Sequence, residues 1–367
     1  MKIAILGDFH FGYDRFYEDS FVQAERALMK AQDIADVILV AGDIFDSRTP
    51  KQEVIAQVFE IFNKLHKKVI VIHGTHERRP QGFTNPVELL CKAGYAESCH
   101  LRHIVFEKDG EKVAVYGIAG VPEEYAKVAI ERAQPKPFEG AFNIFMFHQN
   151  LKELMQVVEH GLYIDDLPAG FDLYIDGHIH KNLEIKKSGR HLLVPGSTVV
   201  TQVRKEESVK GFYLFDTRER SATFVSIVTR PILHLLIKKE NSTPLKQKID
   251  EELSKYDISQ KPIVRIDLDS NVEYSELSAL YEQYKDKCYM FIFTPHDDAN
   301  EYETDFKHFD MHNLPVREHG MSMFKEMLIK NGIHVEDADE LFDVLQEDDE
   351  QIRAYLINLF GGLRAKR

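Results

Sequence analysis

The sequence predicts an α/β protein with a large domain built on parallel strands and a smaller α/β unit behind it. Three observations predict this. Short apolar runs alternate with stretches of helical spacing from the first residues onward. The runs repeatedly end in Asp or His. After Thr229-Arg230-Pro231 the strand and helix alternation starts again.

In chain order, Lys2-Ile3-Ala4-Ile5-Leu6 is the first run and leads into Gly7-Asp8-Phe9-His10. Residues 21–34 have helical spacing without proline, and Val37-Ile38-Leu39-Val40-Ala41 then ends in Gly42-Asp43. Residues 54–65 read as an amphipathic helix, and Val69-Ile70-Val71-Ile72 ends in His73-Gly74-Thr75-His76-Glu77. Strands joined through helices imply right-handed crossovers and parallel pairing. Asp109-Gly110 between two apolar runs predicts a β-hairpin. Asn143-Ile144-Phe145-Met146-Phe147 ends in His148, and Phe171-Asp172-Leu173-Tyr174-Ile175 leads into Asp176-Gly177-His178-Ile179-His180. Residues 192–195, 211–216 and 222–228 are β-rich. The first domain is therefore placed at 1–230. Strands at 233–237, 263–268 and 289–293 with helices at 244–253 and 275–284 make the second, at 231–295. Residues 296–315 read as an acidic, irregular linker. Residues 316–367 are helical, with stripes at Met321, Phe324, Leu328 and at Leu341, Leu345, and a last helix ending at Gly361-Gly362.

A chain of 367 residues with 44% hydrophobic and 29% charged residues has the composition of a soluble globular protein. It holds no apolar stretch of membrane-spanning length, and the opening run is too short for a signal-peptide core. Cys91, Cys99 and Cys288 form no C-x-x-C pair, so reduced structural thiols in a cytoplasmic protein are expected. The net charge of −14 is unevenly spread: residues 296–350 hold 17 of the 60 acidic residues and 4 of the 46 basic ones. The rest is close to neutral, so the total does not count against a DNA substrate. There is no internal repeat, P-loop or dinucleotide fingerprint.

Asp8, His10, Asp43, His148, His178 and His180 lie at the carboxyl ends of separate apolar runs, where open α/β sheets place their sites. A His-x-His pair alone is more often two packed or surface histidines. Six ligand-type residues are another matter. They are too many for one tetrahedral zinc and suit two metals roughly 3.5–4 Å apart with a bridging carboxylate. Oxygen and nitrogen donors without thiolate favour manganese, iron or zinc.

Asp8-x-His10, Gly42-Asp43, Gly74-Thr75-His76-Glu77, His148 and Gly177-His178-x-His180 occur in the order of the five motifs of calcineurin-like metallophosphoesterases, which the chain resembles over about residues 1–228. Within that superfamily it most resembles the meiotic recombination eleven family of DNA break-repair nucleases, SbcD-like in bacteria. Gly12-Tyr13, Gly42-Asp43-Ile44-Phe45-Asp46 and Pro195-Gly196-Ser197 add to the likeness.

The resemblance implies a sandwich of two β-sheets flanked by helices, with a small α/β capping domain that orients DNA and a C-terminal helical segment. It implies two divalent ions per chain, manganese foremost. Asp8, His10 and His180 would hold one, His148 and His178 the other, and Asp43 would bridge them. His76 matches a catalytic histidine that is not a ligand. The implied reaction is in-line hydrolysis of DNA phosphodiesters in double-strand-break repair. Implied partners are DNA, an SMC-like coiled-coil ABC ATPase docked on the helical segment, and a second copy of the chain, in a cytoplasmic, nucleoid-associated setting without a membrane. From pattern alone the helical stripes serve equally for packing within the chain or for a homodimer contact. Thr75 departs from the family pattern, which has Asn; a hydroxyl is shorter than an amide and a weaker neutral ligand. Tyr13, Arg15, Arg48, Arg78 and Arg79 are candidate DNA contacts, with Phe16, Lys181, Arg204 and Lys205 nearby in sequence. Two other readings remain: a small-molecule phosphodiesterase or phosphomonoesterase on the same scaffold, and a DNA-tethering scaffold with a weakened metal site.

Overall fold

In the computed structural model the strands that lead to the ligand-type residues are buried on both faces, which is why they read as unbroken apolar runs. The structure describes residues 1–295 except 81, 156–158, 202–208, 238–244, 257–258, 260 and 269–273, and also 309–310. Chain contacts divide the protein into two compact units, Met1–Arg230 and Pro231–Arg367.

In the first unit β1 (Lys2–Leu6), β2 (Val37–Ala41) and β3 (Lys68–Ile72) lie side by side and parallel, joined through α1 (Tyr17–Ile34) and α2 (Gln52–Asn63). Alternate residues serve different layers. Ala4, Leu6, Ile38, Val40, Val69 and Val71 pack with Ala24, Leu28, Val58 and Phe62 of the helices. Ile3, Ile5, Val37, Leu39, Ile70 and Ile72 point the other way, into a core shared with a second sheet.

The chain continues through α3 (Pro86–Lys92) and β4 (Glu97–Ser98) to the hairpin of β5 (His103–Lys108) and β6 (Glu111–Ile118). Both turn residues are left-handed, Asp109 at φ 52° and Gly110 at φ 73°, the two-residue turn that Asp-Gly favours. There follow α4 (Ala126–Ala133), β7 (Phe142–Phe147), β8 (Leu173–Asp176), β9 (Leu183–Lys187), β10 (Arg190–Val194), β11 (Gly211–Asp216) and β12 (Ser221–Ser226). The first sheet has the order β12-β11-β1-β2-β3-β4 and the second β5-β6-β7-β8-β10-β9. Both are mixed, because β11 runs antiparallel to β1 and β9 antiparallel to β10. Val115, Ile144, Met146, Leu173 and Ile175 fill the core between the sheets. Phe145, Phe147 and Tyr174 face outward onto Ala126 and Ile130 of α4. The result is two six-stranded sheets packed face to face with helices outside. Neither α3 nor α4 was legible as a periodic stretch. For α3 a cap signal exists: Asn85 Oδ1 accepts from the Glu88 N–H at 2.8 Å, and Pro86 follows it.

The end of this unit is pinned to α1. Arg230 donates to both carboxylate oxygens of Asp19, Nε at 2.6 Å and Nη2 at 2.8 Å, and both side chains are largely buried. Arg230→Ala leaves the Asp19 charge buried without this partner. A loss of about 2–3 kcal/mol in unfolding free energy is expected. An unchanged urea midpoint would show that the pair contributes nothing.

The second unit starts with β13 (Ile232–Ile237), α5 (Leu245–Leu253), β14 (Ile263–Leu268), α6 (Tyr274–Tyr284) and β15 (Met290–Pro295). The three strands are parallel, and Leu245, Ile249 and Leu253 form one buried helical stripe among Leu233, Val264 and Ile266. Of the stretch 296–315, read as an irregular acidic linker, the described residues are 309–310, which form β16 (Phe309–Asp310), antiparallel to β15. Two residues are too few to show a period, and an edge strand with open N–H and C=O groups readily takes a short partner. The helical stripes of 316–367 lie outside the described residues. Among the described residues no helix is long and apolar enough to cross a membrane, and all three cysteines are free.

Candidate metal centre

Backbone pairing beyond the strand ends brings the ligand-type residues together. Asp8 N–H donates to Gly42 O at 3.1 Å, His10 N–H to Asp43 O at 3.0 Å and Phe11 N–H to Ile44 O at 2.9 Å, so the segments after β1 and β2 stay side by side. Gly177 N–H donates to Phe147 O at 3.0 Å and extends the β7–β8 pairing towards His148 and His178. The two sheets are then joined across the centre. His178 N–H donates to Asp8 Oδ1 at 3.2 Å, and His148 Nδ1–H to Ala41 O at 2.7 Å. The approach is so close that a Cβ at Gly177 would collide with both Ala41 O and His148 Nδ1. Asp8, His10, Asp43 and His178 all have left-handed backbone, with φ of 52°, 49°, 45° and 64°. Such strain outside glycine persists where the surroundings impose it, and it gathers at functional sites.

Asp43 is central. Its Oδ2 lies 3.2 Å from His148 Nε2 and 3.9 Å from His76 Nε2, and its Oδ1 accepts from the His76 N–H at 2.9 Å. His10 Nε2 and His180 Nε2 are 3.1 Å apart, and His180 Nε2 is 4.0 Å from Asp8 Oδ2. Among the described residues two groups present ligand atoms within 4.8 Å of one another: His10, Asp43 and His76, and Asp43, His148 and His178. Asp8 Oδ2, His148 Nε2 and His178 Nδ1 are buried without hydrogen-bond partners. Buried lone pairs left open are costly, and several converging on one space fit a cation. The residues present therefore suit a pair of divalent ions.

The charges agree. Burial opposes the ionised form of Asp43, yet the close His148, with His10 and His76, holds it well below the usual carboxylate range. Burial likewise opposes charge on His148, but Asp43 and Asp8 outweigh it and raise the imidazole to about 10. Burial pushes Asp8 up to about 6, against the pull of His148. Burial and the charge on His148 push His178 down to about 3, and burial with His10 holds His180 well below the usual value. His178 and His180 thus stay neutral, as ligands must be, whereas His148 holds a proton against Asp43 that a bound ion would displace. His76 is raised to about 9, first by its hydrogen bond to Asp46 and against burial.

His76, expected outside the ligand set, stands within reach of it, with 43% of its side chain exposed and Nδ1 held at 3.0 Å by Asp46 O. Thr75 Oγ1 faces Asp43 Oδ2 at 3.4 Å. Of the candidate DNA contacts, Arg48 and Arg78 are exposed. Arg79 bonds locally to Thr84 O and lies over Phe83, Arg15 lies over Phe16, and the Tyr13 hydroxyl donates to Thr201 O at 3.2 Å. Phe16 is fully buried, so it packs in the protein and cannot stack on a base. Lys181 is exposed; Arg204 and Lys205 lie outside the described residues.

Three residues gained a role only in three dimensions. Asp46 Oδ1 lies 3.1 Å from His10 Nδ1 and so turns His10 Nε2 inward. Glu77, fully buried, accepts from the Phe45 and Gly74 N–H groups at 2.7 Å each and ties the segments after β2 and β3 together. Lys210, 3% exposed, donates to His180 O and Ser197 Oγ. Asp46 and Glu77 sit inside recognised motifs; Lys210 carries no local signal.

Residues 1–220 match the model of the calcineurin-like phosphoesterase superfamily domain. The chain is similar to the DNA double-strand break repair protein Mre11 of Methanopyrus kandleri, with 28% identity over 248 residues, 59% of this chain and 54% of that protein. It is also similar to the protein of that name from Archaeoglobus fulgidus, with 24% identity over 320 residues, 76% of this chain and 71% of the other. The match thus spans about half the length of the Methanopyrus relative. Among solved structures, an archaeal phosphodiesterase aligns with 16% identity and a TM-score of 0.34, covering 62% of this chain and 100% of that one.

Proposed function

Since the chain belongs to the calcineurin-like phosphoesterase superfamily, we propose that it is a dinuclear metal-dependent DNA nuclease of double-strand-break repair, acting with an SMC-like ABC ATPase and as a homodimer. The observation that carries this is the convergence of Asp43, His148 and His178 on one space, with Asp8 Oδ2 and His178 Nδ1 buried there without hydrogen-bond partners. Likeness to break-repair proteins supports DNA as the substrate.

Asp8, His10 and His180 would hold one ion, His148 and His178 the other, with Asp43 shared between them. Two such ions, manganese foremost, would polarise the phosphodiester and acidify a water. The protein supplies orientation. Asp46 fixes the His10 ring, and Ala41 O fixes that of His148. His76 has Nδ1 occupied by Asp46 O, which leaves Nε2–H as the proton it can offer to a departing oxygen on the open side of the centre. Arg48 and Arg78 are exposed cations for DNA phosphates.

The test is end-labelled duplex and single-stranded DNA with manganese, magnesium or chelator, with and without the ATPase. Cleavage that needs metal and stops with chelator is expected. Hydrolysis of small phosphodiesters with DNA left intact would overturn the nuclease reading in favour of a small-molecule enzyme; metal binding without any hydrolysis would favour a tethering scaffold.

Thr75 gives a graded check. Its hydroxyl faces Asp43, while an asparagine at this position carries an amide oxygen that reaches further. A gain of about 1.4 kcal/mol tightens binding about tenfold. Thr75→Asn should therefore reach half-maximal activity at lower manganese, with little change in plateau rate. Superimposed titration curves would show that threonine already serves the site.

A further inference from the structure

His178 has two ring nitrogens in different settings. Nδ1 is buried without a hydrogen-bond partner. Nε2 lies 3.8 Å from Glu123 Oε1, which is itself buried without a partner. The other Glu123 oxygen, Oε2, accepts from the Asn150 N–H at 3.0 Å. Glu123 is thus anchored beside the segment that carries His148 while its free oxygen faces the His178 ring. It comes from the turn before α4, far in sequence from every residue of the centre.

A neutral imidazole has one N–H and one lone pair. If the proton is on Nε2, it faces the open carboxylate oxygen and the lone pair on Nδ1 is left for an ion. With the proton on Nδ1, the buried N–H has no acceptor and the lone pair on Nε2 faces a carboxylate. The first arrangement gives the buried Glu123 Oε1 a donor; the second leaves that oxygen open and puts an N–H without an acceptor on the buried Nδ1. A shift of about 1 Å in the Glu123 side chain brings 3.8 Å to hydrogen-bond distance.

We propose that Glu123 is a positioning residue for the second ion: its carboxylate takes the Nε2–H of His178 and turns the Nδ1 lone pair into the centre. It would do for His178 what Asp46 does for His10, so each ion has one imidazole fixed by a carboxylate behind it. This rests on the dinuclear reading of the centre and adds a residue that no motif contains.

The test uses the whole chain and reads metal binding and tautomer rather than nuclease activity. Failure of the DNA-nuclease reading therefore leaves it intact. In metal-free protein labelled with ¹⁵N-histidine, long-range proton–nitrogen correlations should show His178 as the Nε2–H tautomer, assigned by the signal lost in His178→Gln. In manganese titration followed by calorimetry, Glu123→Ala should weaken the second site by about 10- to 100-fold and leave the first unchanged. Glu123→Gln retains an oxygen that can accept from Nε2–H and should recover most of the affinity. A His178 found as the Nδ1–H tautomer would overturn the proposal. So would two sites weakened equally, or a second site unaffected in Glu123→Ala. Thermal unfolding of the metal-free variants separates a folding defect from weakened binding, and Glu123→Gln keeps the comparison open if Glu123→Ala does not fold.

Discussion

Asp43→Ala is expected to abolish phosphodiester hydrolysis, with turnover falling at least about a thousandfold, the scale of losing a principal electrostatic element. Asp43 is buried and lies 3.2 Å from His148 and 3.9 Å from His76. It also accepts the His76 N–H and faces the Thr75 hydroxyl. Removing it takes the shared negative ligand from both proposed ions and loosens the segment after β3. Asp43→Asn separates these effects, because it keeps the shape and much of the hydrogen bonding but removes the charge. Metal content by elemental analysis should fall from two ions per chain for both variants. Asn leaves the buried His148 without its charged partner, so the metal-free variant should also lose stability, which thermal unfolding reads separately from metal content. Near-normal cleavage by Asp43→Ala would falsify the dinuclear centre.

His76→Ser is expected to lower kcat by about 10²–10⁴-fold, the usual range for a general acid, while both ions stay bound. Serine cannot reach from the Asp46 carbonyl towards Asp43 as the imidazole does. KM should change little, because the loss falls on the transition state and not on ground-state binding. The geometry makes this a demanding test. His76 stands close enough to His10 and Asp43 to be a ligand itself. If elemental analysis finds one ion missing, His76 belongs to the ligand set and its assignment as acid fails.

Much of the fold was legible because its signals are local. Val37 to Ala41 form an unbroken apolar run because each residue is buried on one face or the other of an internal strand. Asp109-Gly110 marked its hairpin because the turn needs two left-handed residues. The short strands β4 and β16 and the helices α3 and α4 were missed, because two residues show no period and seven or eight barely fill two turns. Phe16 illustrates the limit for side chains: an aromatic next to a motif looks available to a base, and only packing shows it fully buried.

By itself the sequence determined the alternation of strands and helices, the residue types at each strand end, and their order, and these identify the superfamily. It determined them because periodicity, turn chemistry and motif spacing depend on neighbours a few positions apart. Only the tertiary structure decided which of those residues meet. His178 binds Asp8 from 170 positions away, and His148 reaches Ala41 across 107. Asp46 behind His10 and Glu123 behind His178 follow from two sheets packing face to face. No local pattern records that, because strand order and sheet packing set contacts between residues that the chain itself keeps far apart.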